Sequence, residues 1–449
     1  MSFSLDRCPA QLIECIVELL DLPDIRSLRL SCRDLAAKSS QYRFRTYFRS
    51  KHIDLTGDAV REFAKAVQAG GLQSLVQDLY LTGIANEDRV SRRFLYFAPP
   101  QNTLNPLIQA FDDLAKLSKD GSLASLTLRA TVVRDNARLL PRDARSASWW
   151  SSGPSRILWH CTVLTFETTL RALAASKLRI KRLNIFNDPD MQQCSLACEQ
   201  LSEIDWSDPR LVRALAALES LSLSISDRAI RFDRHENEYC DYDAYRCDSA
   251  LLAKIRAKFE DERNFAGLAK LLGQCPQLED FELHYLEIYH EVPINLPKMM
   301  ILQNVIKLDT LPALKRCRLA GISTNGAELL EFLKLARPRE LSLETVRLHE
   351  LHELHRDIMR PILDYCTGKA AGISRLHFDY IKVLGDDDES VVEFHGHGAE
   401  KSYEDAGICQ TLVREGDRVR YPLACSLHRL TKLDNEYSSY QLREYGSPY

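Results

Sequence analysis

The chain has 449 residues and a mass of 51.3 kDa, which exceeds one ordinary domain and predicts two domains or one extended array. Hydrophobic residues make up 45% and charged residues 27% of the sequence, proportions typical of a folded protein rather than a disordered or fibrous one. The 59 basic and 63 acidic side chains leave a net charge of -4. Composition therefore gives no reason to expect a nucleic-acid or anionic-membrane partner.

Targeting and redox features favour an intracellular protein. No apolar run approaches the roughly 20 residues of a membrane helix, and the first residues lack the basic-then-apolar order of a signal peptide. The 13 cysteines are an odd set without regular short spacing, which favours buried, reduced thiols over a disulfide framework. We therefore expect the cytoplasm, the nucleus or both, and no membrane partner.

Motifs for catalysis or metal binding are missing from the sequence. It contains no GxGxxG, GxSxG or HExxH, no GxxxxGK followed by Ser or Thr, and no CxxC pair for zinc. His349, His352 and His355 are spaced by three, so on a helix they would spread over about 240° and could not all face one ion. We therefore expect no catalytic residues, no metal and no cofactor.

Residues 7–50 predict three short helices in a small bundle. After Pro9, which suits a first helical turn, apolar residues cover an arc of roughly 160°, wider than one neighbouring helix buries. The arc consists of Leu12, Ile13, Ile16, Val17, Leu19 and Leu20. Asp21 caps the second predicted helix, whose stripe consists of Ile25, Leu28, Cys32, Leu35 and Ala36. Leu30 lies off that stripe, so we expect Leu12, Ile16 and Leu30 to form an exposed apolar surface that binds a partner.

The run CPAQLIECIVELLDLPDIRSLRLSCRDLAAKSSQYRFRTYF resembles an F-box as found in fungal proteins. It has a proline before an apolar helix, a DLPDIRSLRLSCR centre and an aromatic-basic end, although Cys8 stands where the family usually has leucine. The resemblance implies docking onto the Skp-family adaptor of a cullin-RING ubiquitin ligase. The implied adaptor contacts are Pro9, Leu12, Ile13, Ile16, Leu20, Leu22, Pro23, Leu28, Leu30 and Arg33. The alternative is a plain three-helix bundle that packs on the following domain.

An irregular repeat occupies most of the remaining chain. Its apolar-x-x-apolar-x-apolar copies are Val76/Leu79/Leu81, Leu123/Leu126/Leu128, Ile180/Leu183/Ile185, Leu218/Leu221/Leu223, Leu278/Phe281/Leu283, Leu314/Cys317/Leu319, Pro338/Leu341/Leu343 and Ile373/Leu376/Phe378. Most copies follow a segment of helical periodicity and a short turn, so the predicted unit is helix, turn and strand. Neither face of such a unit is buried alone, and stacking the units buries both.

This pattern looks like a leucine-rich-repeat solenoid, which implies an α/β fold with a parallel sheet on the concave side and helices on the convex side. Successive strands lie from roughly 24 to roughly 60 residues apart, so we expect large insertions. The predicted domains are an F-box-like helical domain at 1–50, an irregular solenoid at 51–384, and a C-terminal cap and tail at 385–449. Within the cap, Val391 to Phe394 and Arg418 to Tyr421 are candidate strands.

Two insertions are candidate recognition elements. The basic insertion from Arg129 to His160 contains the candidate substrate-binding residues Arg142, Arg145, Trp149 and Trp150, which suit an acidic or phosphorylated segment. The acidic insertion runs from Asp233 to Asp248, and both insertions are predicted on the same rim of the array. The alternatives are a solvated basic loop whose tryptophans pack onto the array, and a solvated acidic loop.

Two functional classes follow from these features. The first is a substrate receptor of a ubiquitin ligase, in which the N-terminal bundle binds the adaptor and the repeats hold a protein substrate. The second is a repeat scaffold that binds other proteins without any ligase. Neither class requires a catalytic residue in this chain.

Overall fold

The structure is a computed structural model that describes residues 4–71, 75–86, 101–118, 120–134, 137–139, 153–188, 194–226, 257, 261–286, 300–349, 358–384, 389–400 and 409–429. Residues 4–49 contain only helices as regular elements, and the remainder of the described chain alternates strands with helices. The result is a mixed α/β fold built on one large, mostly parallel sheet.

The N-terminal segment contains α1 (Ala10–Glu18), α2 (Leu22–Ser31), α3 (Arg33–Lys38) and α4 (Tyr42–Thr46). The prediction of three helices is wrong, because the second predicted helix is divided at Cys32. That residue is extended, with φ of -160°, and its Sγ accepts a hydrogen bond from the Leu35 N–H at 3.4 Å. Cys32 is therefore the N-cap of α3. The predicted cap of α2 is confirmed, since the Asp21 carboxylate accepts from the Asp24 N–H at 3.0 Å.

The main sheet has 13 strands. They are β1 (Ser50–Asp54), β2 (Asp78–Asn86), β4 (Ser125–Arg134), β5 (Ala137–Leu139), β7 (Arg182–Ile185), β8 (Leu196–Ala197), β9 (Ser220–Ser226), β10 (Asp280–Tyr285), β11 (Arg316–Ala320), β13 (Glu340–Glu344), β15 (Arg375–Asp379), β18 (Ala399–Glu400) and β19 (Thr411–Glu415). The order is β1-β2-β4-β7-β9-β10-β11-β13-β15-β19-β18, with β5 beside β4 and β8 beside β9. A two-stranded sheet pairs β3 (Ser122–Leu123) with β6 (Arg179–Ile180).

The register of this sheet follows the repeated apolar pattern. Across eight parallel strands, the residues in line are Leu81, Leu128, Ile185, Leu223, Leu283, Leu319, Leu343 and Phe378. The predicted parallel alignment of these strands is confirmed. Beyond β15 the direction reverses, because β19 pairs antiparallel with β15.

Helices cover the apolar face of the sheet. They are α5 (Gly57–Gln68), α6 (Gln101–Leu117), α7 (Gly153–Ala175), α8 (Cys198–Ser202), α9 (Pro209–Leu215), α10 (Gly267–Leu272), α11 (Met300–Val305), α12 (Gly326–Ala336) and α13 (Arg360–Thr367). Strand β10 shows the division of faces: Phe281 and Leu283 are buried in the core, whereas Glu282 and His284 alternate with them on the other face. One apolar core runs the length of the sheet.

A second sheet, absent from the sequence prediction, joins β12 (Ser323–Asn325), β14 (Arg347–His349), β16 (Lys382–Leu384), β17 (Glu389–His395) and β20 (Ala424–Arg429). Its first three strands each follow a strand of the main sheet after one left-handed residue. These residues are Gly321, Thr345 and Tyr380, with φ of 69°, 49° and 51°. The left-handed conformation turns the chain sharply, so each of these units contributes to both sheets.

Three further sequence predictions have outcomes here. The candidate strand at 391–394 is confirmed within β17, but 418–421 is not a strand, since Gly416–Arg420 is a 3-10 helix. The positive φ of Gly416, 59°, starts that tight turn instead of an extended segment. His349 lies in β14, not on a helix, while His352 and His355 lie outside the described residues.

Candidate docking surface

Helix α1 carries two apolar stripes, and only one of them faces the bundle. At about 100° per residue, Leu12, Ile16 and Leu19 share one side of the helix, and Ile13 and Val17 lie about 100° around it. Ile13 and Val17 are fully buried. Leu12 is 55% exposed and Leu19 is 88% exposed, with Ile16 half-buried between them.

Helix α2 adds a second exposed leucine surface. Ile25 is fully buried, and Leu22 and Leu28 pack partly buried beside it. Leu30 lies about 140° around the helix from Ile25 and is 86% exposed. The expected exposure of Leu12 and Leu30 is therefore confirmed, while Ile16 is only half-exposed.

The exposed leucines concentrate in this small part of the chain. Among the described residues, the large apolar side chains that are exposed are Leu5, Leu12, Leu19, Leu30, Leu117, Tyr421 and Leu427. Four of these seven belong to the first 30 residues. Exposed leucines on two helices of a folded bundle are typical of a surface that another protein covers.

The bundle buries its own apolar core. That core consists of Cys8, Ile13, Val17, Ile25, Leu35 and Phe44, and it does not merge with the core of the main sheet. The Arg29 guanidinium lies 3.9 Å from the centre of the Phe44 ring, and burial lowers the pKa of Arg29. Lys38 Nζ donates to the carbonyl of Cys8 at 2.9 Å, which ties α3 to the start of the chain. The exposed leucines are therefore not needed to complete this core.

The predicted adaptor contacts divide into three groups. Exposed residues are Pro9, Leu12, Pro23, Leu30 and Arg33; half-buried residues are Ile16, Leu20, Leu22 and Leu28; the fully buried residue is Ile13. In this conformation the Ile13 side chain supports the bundle and is not accessible to a partner. Leu19 is not among the predicted contacts, although its spacing of seven from Leu12 places both on one side of the helix.

The predicted substrate-binding residues Arg142, Arg145, Trp149 and Trp150 lie outside the described residues, as does the acidic insertion at 233–248. The ends of the basic insertion are described. Residues 153–160 belong to α7 and not to a loop, and Trp159 is buried there. At the other end, Arg129 Nη2 donates to Asp188 Oδ2 at 2.5 Å, and its guanidinium lies 4.6 Å from the Tyr80 ring centre. Arg129 is therefore committed to contacts within the fold.

The polar face of the main sheet carries a network across several strands. Arg318 Nη1 donates to Glu282 Oε1 at 2.7 Å, and the Ser222 hydroxyl donates to Glu282 Oε2 at 3.2 Å. On the other side, the Ser342 hydroxyl donates to Glu344 Oε1 at 2.6 Å. The sequence did not reveal this network, because Arg318 and Glu282 are 36 residues apart in the chain and only strand pairing brings them together.

Two groups in this network have strongly shifted pKa values. Burial by itself raises the pKa of Glu344. Hydrogen bonds from His377, Arg318 and Ser342 lower the pKa by more than burial raises it, so its net value is about 2. Burial lowers the pKa of His284 to about 4, and the nearby Arg318 charge lowers it too. A neutral His284 and an ionised Glu344 therefore coexist at neutral pH, which suits a fixed hydrogen-bonding surface.

Neither a metal centre nor a membrane span is found in the described part of the chain. No three histidine, cysteine or acidic side chains converge there to hold a metal ion. Among the described helices, none has both the length and the apolar character to cross a bilayer. No protein-family model matches the chain, and no curated protein matches it.

Proposed function

We propose that this chain is the substrate-recognition subunit of a Skp-cullin-F-box type ubiquitin ligase. The N-terminal helices form an F-box that binds a Skp-family adaptor, and through it a cullin, while the remaining chain binds a protein substrate. One observation carries this proposal: Leu12 on α1, Leu19 at the C-cap of α1 and Leu30 on α2 are exposed on a bundle whose own core is already filled.

The exposed leucines supply the apolar part of the docking energy. Transfer of one leucine side chain from water into a packed interface contributes about 2 kcal/mol. Pro9, Pro23 and Arg33 belong to the same segment and are also exposed, so they can contact the adaptor beside the leucines. Ile13 acts indirectly, since its burial fixes the orientation of α1 and with it the direction in which Leu12 points.

We further propose that the parallel sheet and its helices form an irregular leucine-rich-repeat solenoid. Supporting this, paired apolar residues occupy the same register on eight successive parallel strands, and helices precede most of these strands. In this proposal Arg142, Arg145, Trp149 and Trp150 contribute to substrate binding. In this role the chain performs no chemistry itself. It contributes by raising the local concentration of the substrate near the enzyme that transfers ubiquitin.

The alternative is a repeat scaffold without ligase activity, in which the exposed leucines bind a protein other than a Skp-family adaptor. Both alternatives explain the exposed leucines. They differ in the identity of the partner, so direct binding to the adaptor distinguishes them.

The experiment is co-purification of the full chain with a recombinant Skp-family adaptor. The variant Leu12→Asp/Leu30→Asp places two charges on the docking surface and should abolish co-purification, because a buried unpaired carboxylate opposes binding. The control Leu117→Asp changes a leucine of α6 that is also exposed and should bind like the wild type. If the unmodified chain fails to bind the adaptor, or if the double variant binds as well as the control, the ligase proposal is wrong.

A further inference from the structure

Strand β1 forms one edge of the main sheet, and half of its backbone groups face away from β2. The Arg49 carbonyl accepts from the Asp78 N–H at 2.9 Å, and the Leu55 N–H donates to the Thr82 carbonyl at 2.8 Å. Residues with odd numbers therefore face β2, because alternate residues of a parallel strand bond to opposite sides. The N–H and C=O groups of Ser50 and His52 face outward, and no described residue bonds to them.

This strand and the residues before it carry four cationic side chains that we call the basic border: Arg43, Arg45, Arg49 and Lys51. The three arginines are exposed and Lys51 is half-exposed. No ion pair involves any of the four within the described part of the chain. Glu14 Oε1 accepts a hydrogen bond from the Arg43 backbone N–H at 3.1 Å, so this contact does not involve the Arg43 guanidinium.

The basic border differs from the arginines elsewhere on the sheet. Arg182, Arg316 and Arg375 each begin a strand, and each is paired with a carboxylate of another strand of the sheet. At β1 the corresponding charges lack such partners among the described residues. Open backbone groups therefore occur at β1 together with Arg49 and Lys51, two cations without a carboxylate partner among the described residues, while Arg43 and Arg45 belong to the preceding helix α4.

We propose that an extended acidic segment of a partner protein adds to β1 as a further strand of the sheet. Its main chain bonds the outward groups of Ser50 and His52, and its carboxylates pair with the basic border. This mode of binding takes affinity from backbone hydrogen bonds and specificity from side chains on alternate positions. The site is separate from the leucine surface of α1 and α2, so it does not depend on adaptor binding.

A different reading of the same features is protection, since charged residues at a sheet edge discourage edge-to-edge association. Protection and strand addition lead to opposite expectations for an acidic peptide. A border that only protects gives charge attraction without any requirement for backbone hydrogen bonds. Strand addition requires both.

The experiment measures binding of a fluorescent peptide that alternates glutamate and valine to the full chain by anisotropy. A peptide of the same sequence, N-methylated at those alternate residues whose N–H groups would face β1, keeps its charge but loses the backbone donors that strand addition requires. Strand addition predicts that N-methylation weakens binding about tenfold or more, because two or more hydrogen bonds are lost. Equal affinity for the two peptides overturns the proposal in favour of charge attraction alone.

Variants of the protein test the same contact from the other side. His52→Pro removes an outward N–H but none that faces β2, and proline is tolerated on an edge strand. This variant should weaken binding of the unmethylated peptide about tenfold. Arg43→Glu/Arg45→Glu/Arg49→Glu should abolish binding. The matched control Lys369→Glu/Arg418→Glu/Arg420→Glu changes exposed cations near the opposite end of the sheet and should retain it. Equal loss in the control contradicts the proposed site, and the two peptides keep the test decisive if a variant fails to fold.

Discussion

Arg318 holds the carboxylate of Glu344 through two hydrogen bonds, from Nε at 2.8 Å and from Nη2 at 2.6 Å. The two residues lie on the neighbouring strands β11 and β13. Such a fork-to-carboxylate contact is stronger than a single ion pair and fixes the relative orientation of both side chains. Because Arg318 also bonds Glu282 on β10, one guanidinium joins three strands on the polar face.

Removing Arg318 should therefore destabilise the sheet. Arg318→Met leaves two partly buried carboxylates without their cation, and we expect a loss of about 2 kcal/mol in the free energy of unfolding. Arg318→Lys keeps the charge but cannot form the fork, so about half of that loss is expected. Chemical denaturation of the three proteins at pH 7 measures the difference, and an unchanged Arg318→Met protein would show that the network contributes nothing to stability.

The low pKa of Glu344 makes this contribution pH-dependent. Its pKa is lowered from 4.5 to about 2, so the stabilisation is complete above about pH 5 and is lost as the pH falls towards 2. Glu344→Gln should lose stability at neutral pH and show a shallower decline over that range. Parallel declines in the variant and the wild type would assign the acid sensitivity to other carboxylates.

His284 should act in a higher pH window. Its pKa is lowered from 6.5 to about 4, so the unfolded chain takes up a proton before the folded protein does. The stabilisation from the neutral imidazole is therefore present above pH 6.5 and is lost as the pH falls from 6.5 to about 4. His284→Gln retains a hydrogen-bonding side chain for Ser224 and should flatten the stability profile in that window. The melting temperature measured at half-unit steps of pH checks this.

Gly267 marks a close contact between two helices. A Cβ at this position would lie 2.3 Å from the Leu201 carbonyl carbon and from the Ser202 nitrogen, and backbone atoms cannot move aside cheaply. Gly267→Ala should cost about 3 kcal/mol. Gly273→Ala is the control, because its nearest neighbour would be 3.5 Å away; its effect should stay within about 0.5 kcal/mol.

Arg337 ends helix α12 in a left-handed conformation, with φ of 45°, and its N–H bonds the Leu333 carbonyl. Left-handed backbone costs an L-residue about 1 kcal/mol relative to glycine. Because Arg337 is exposed, Arg337→Gly should stabilise the protein by about that amount. Arg337→Ala should not, since alanine keeps the Cβ, and equal melting temperatures for the two variants would contradict this explanation.

The two stripes of α1 should separate stability from binding. Val17→Ala removes buried methyl groups and should cost about 2 kcal/mol of stability. Leu19→Ser changes a side chain that is 88% exposed, so stability should stay within about 0.5 kcal/mol while adaptor binding weakens. A Leu19→Ser protein that melts early would indicate that Leu19 packs inside the chain.

The repeated strand and its register could be predicted from the amino-acid sequence. Apolar residues lie two positions apart in each repeat, as in Phe281/Leu283 and Leu341/Leu343. Because side chains alternate between the two faces of a strand, this spacing places both apolar residues on the face that packs in the core. A slip of one residue would expose every one of these side chains. The sequence likewise identified the apolar excess of α1, because the arc was wider than one neighbour could cover.

The side of α1 that is buried could not be predicted, because it depends on how the helices of the bundle pack. Ile13 and Leu12 are adjacent and equally apolar, and the position of the other helices alone buries one and exposes the other. The second sheet could not be predicted either, because a three-residue strand such as Lys382–Leu384 is too short to show an alternation of apolar and polar residues. Its corners use Thr345 and Tyr380 in a left-handed conformation that sequence reasoning reserves for glycine. The polar network joins Arg318 to Glu282 and Glu344, which are 36 and 26 residues away, a separation that only strand pairing closes.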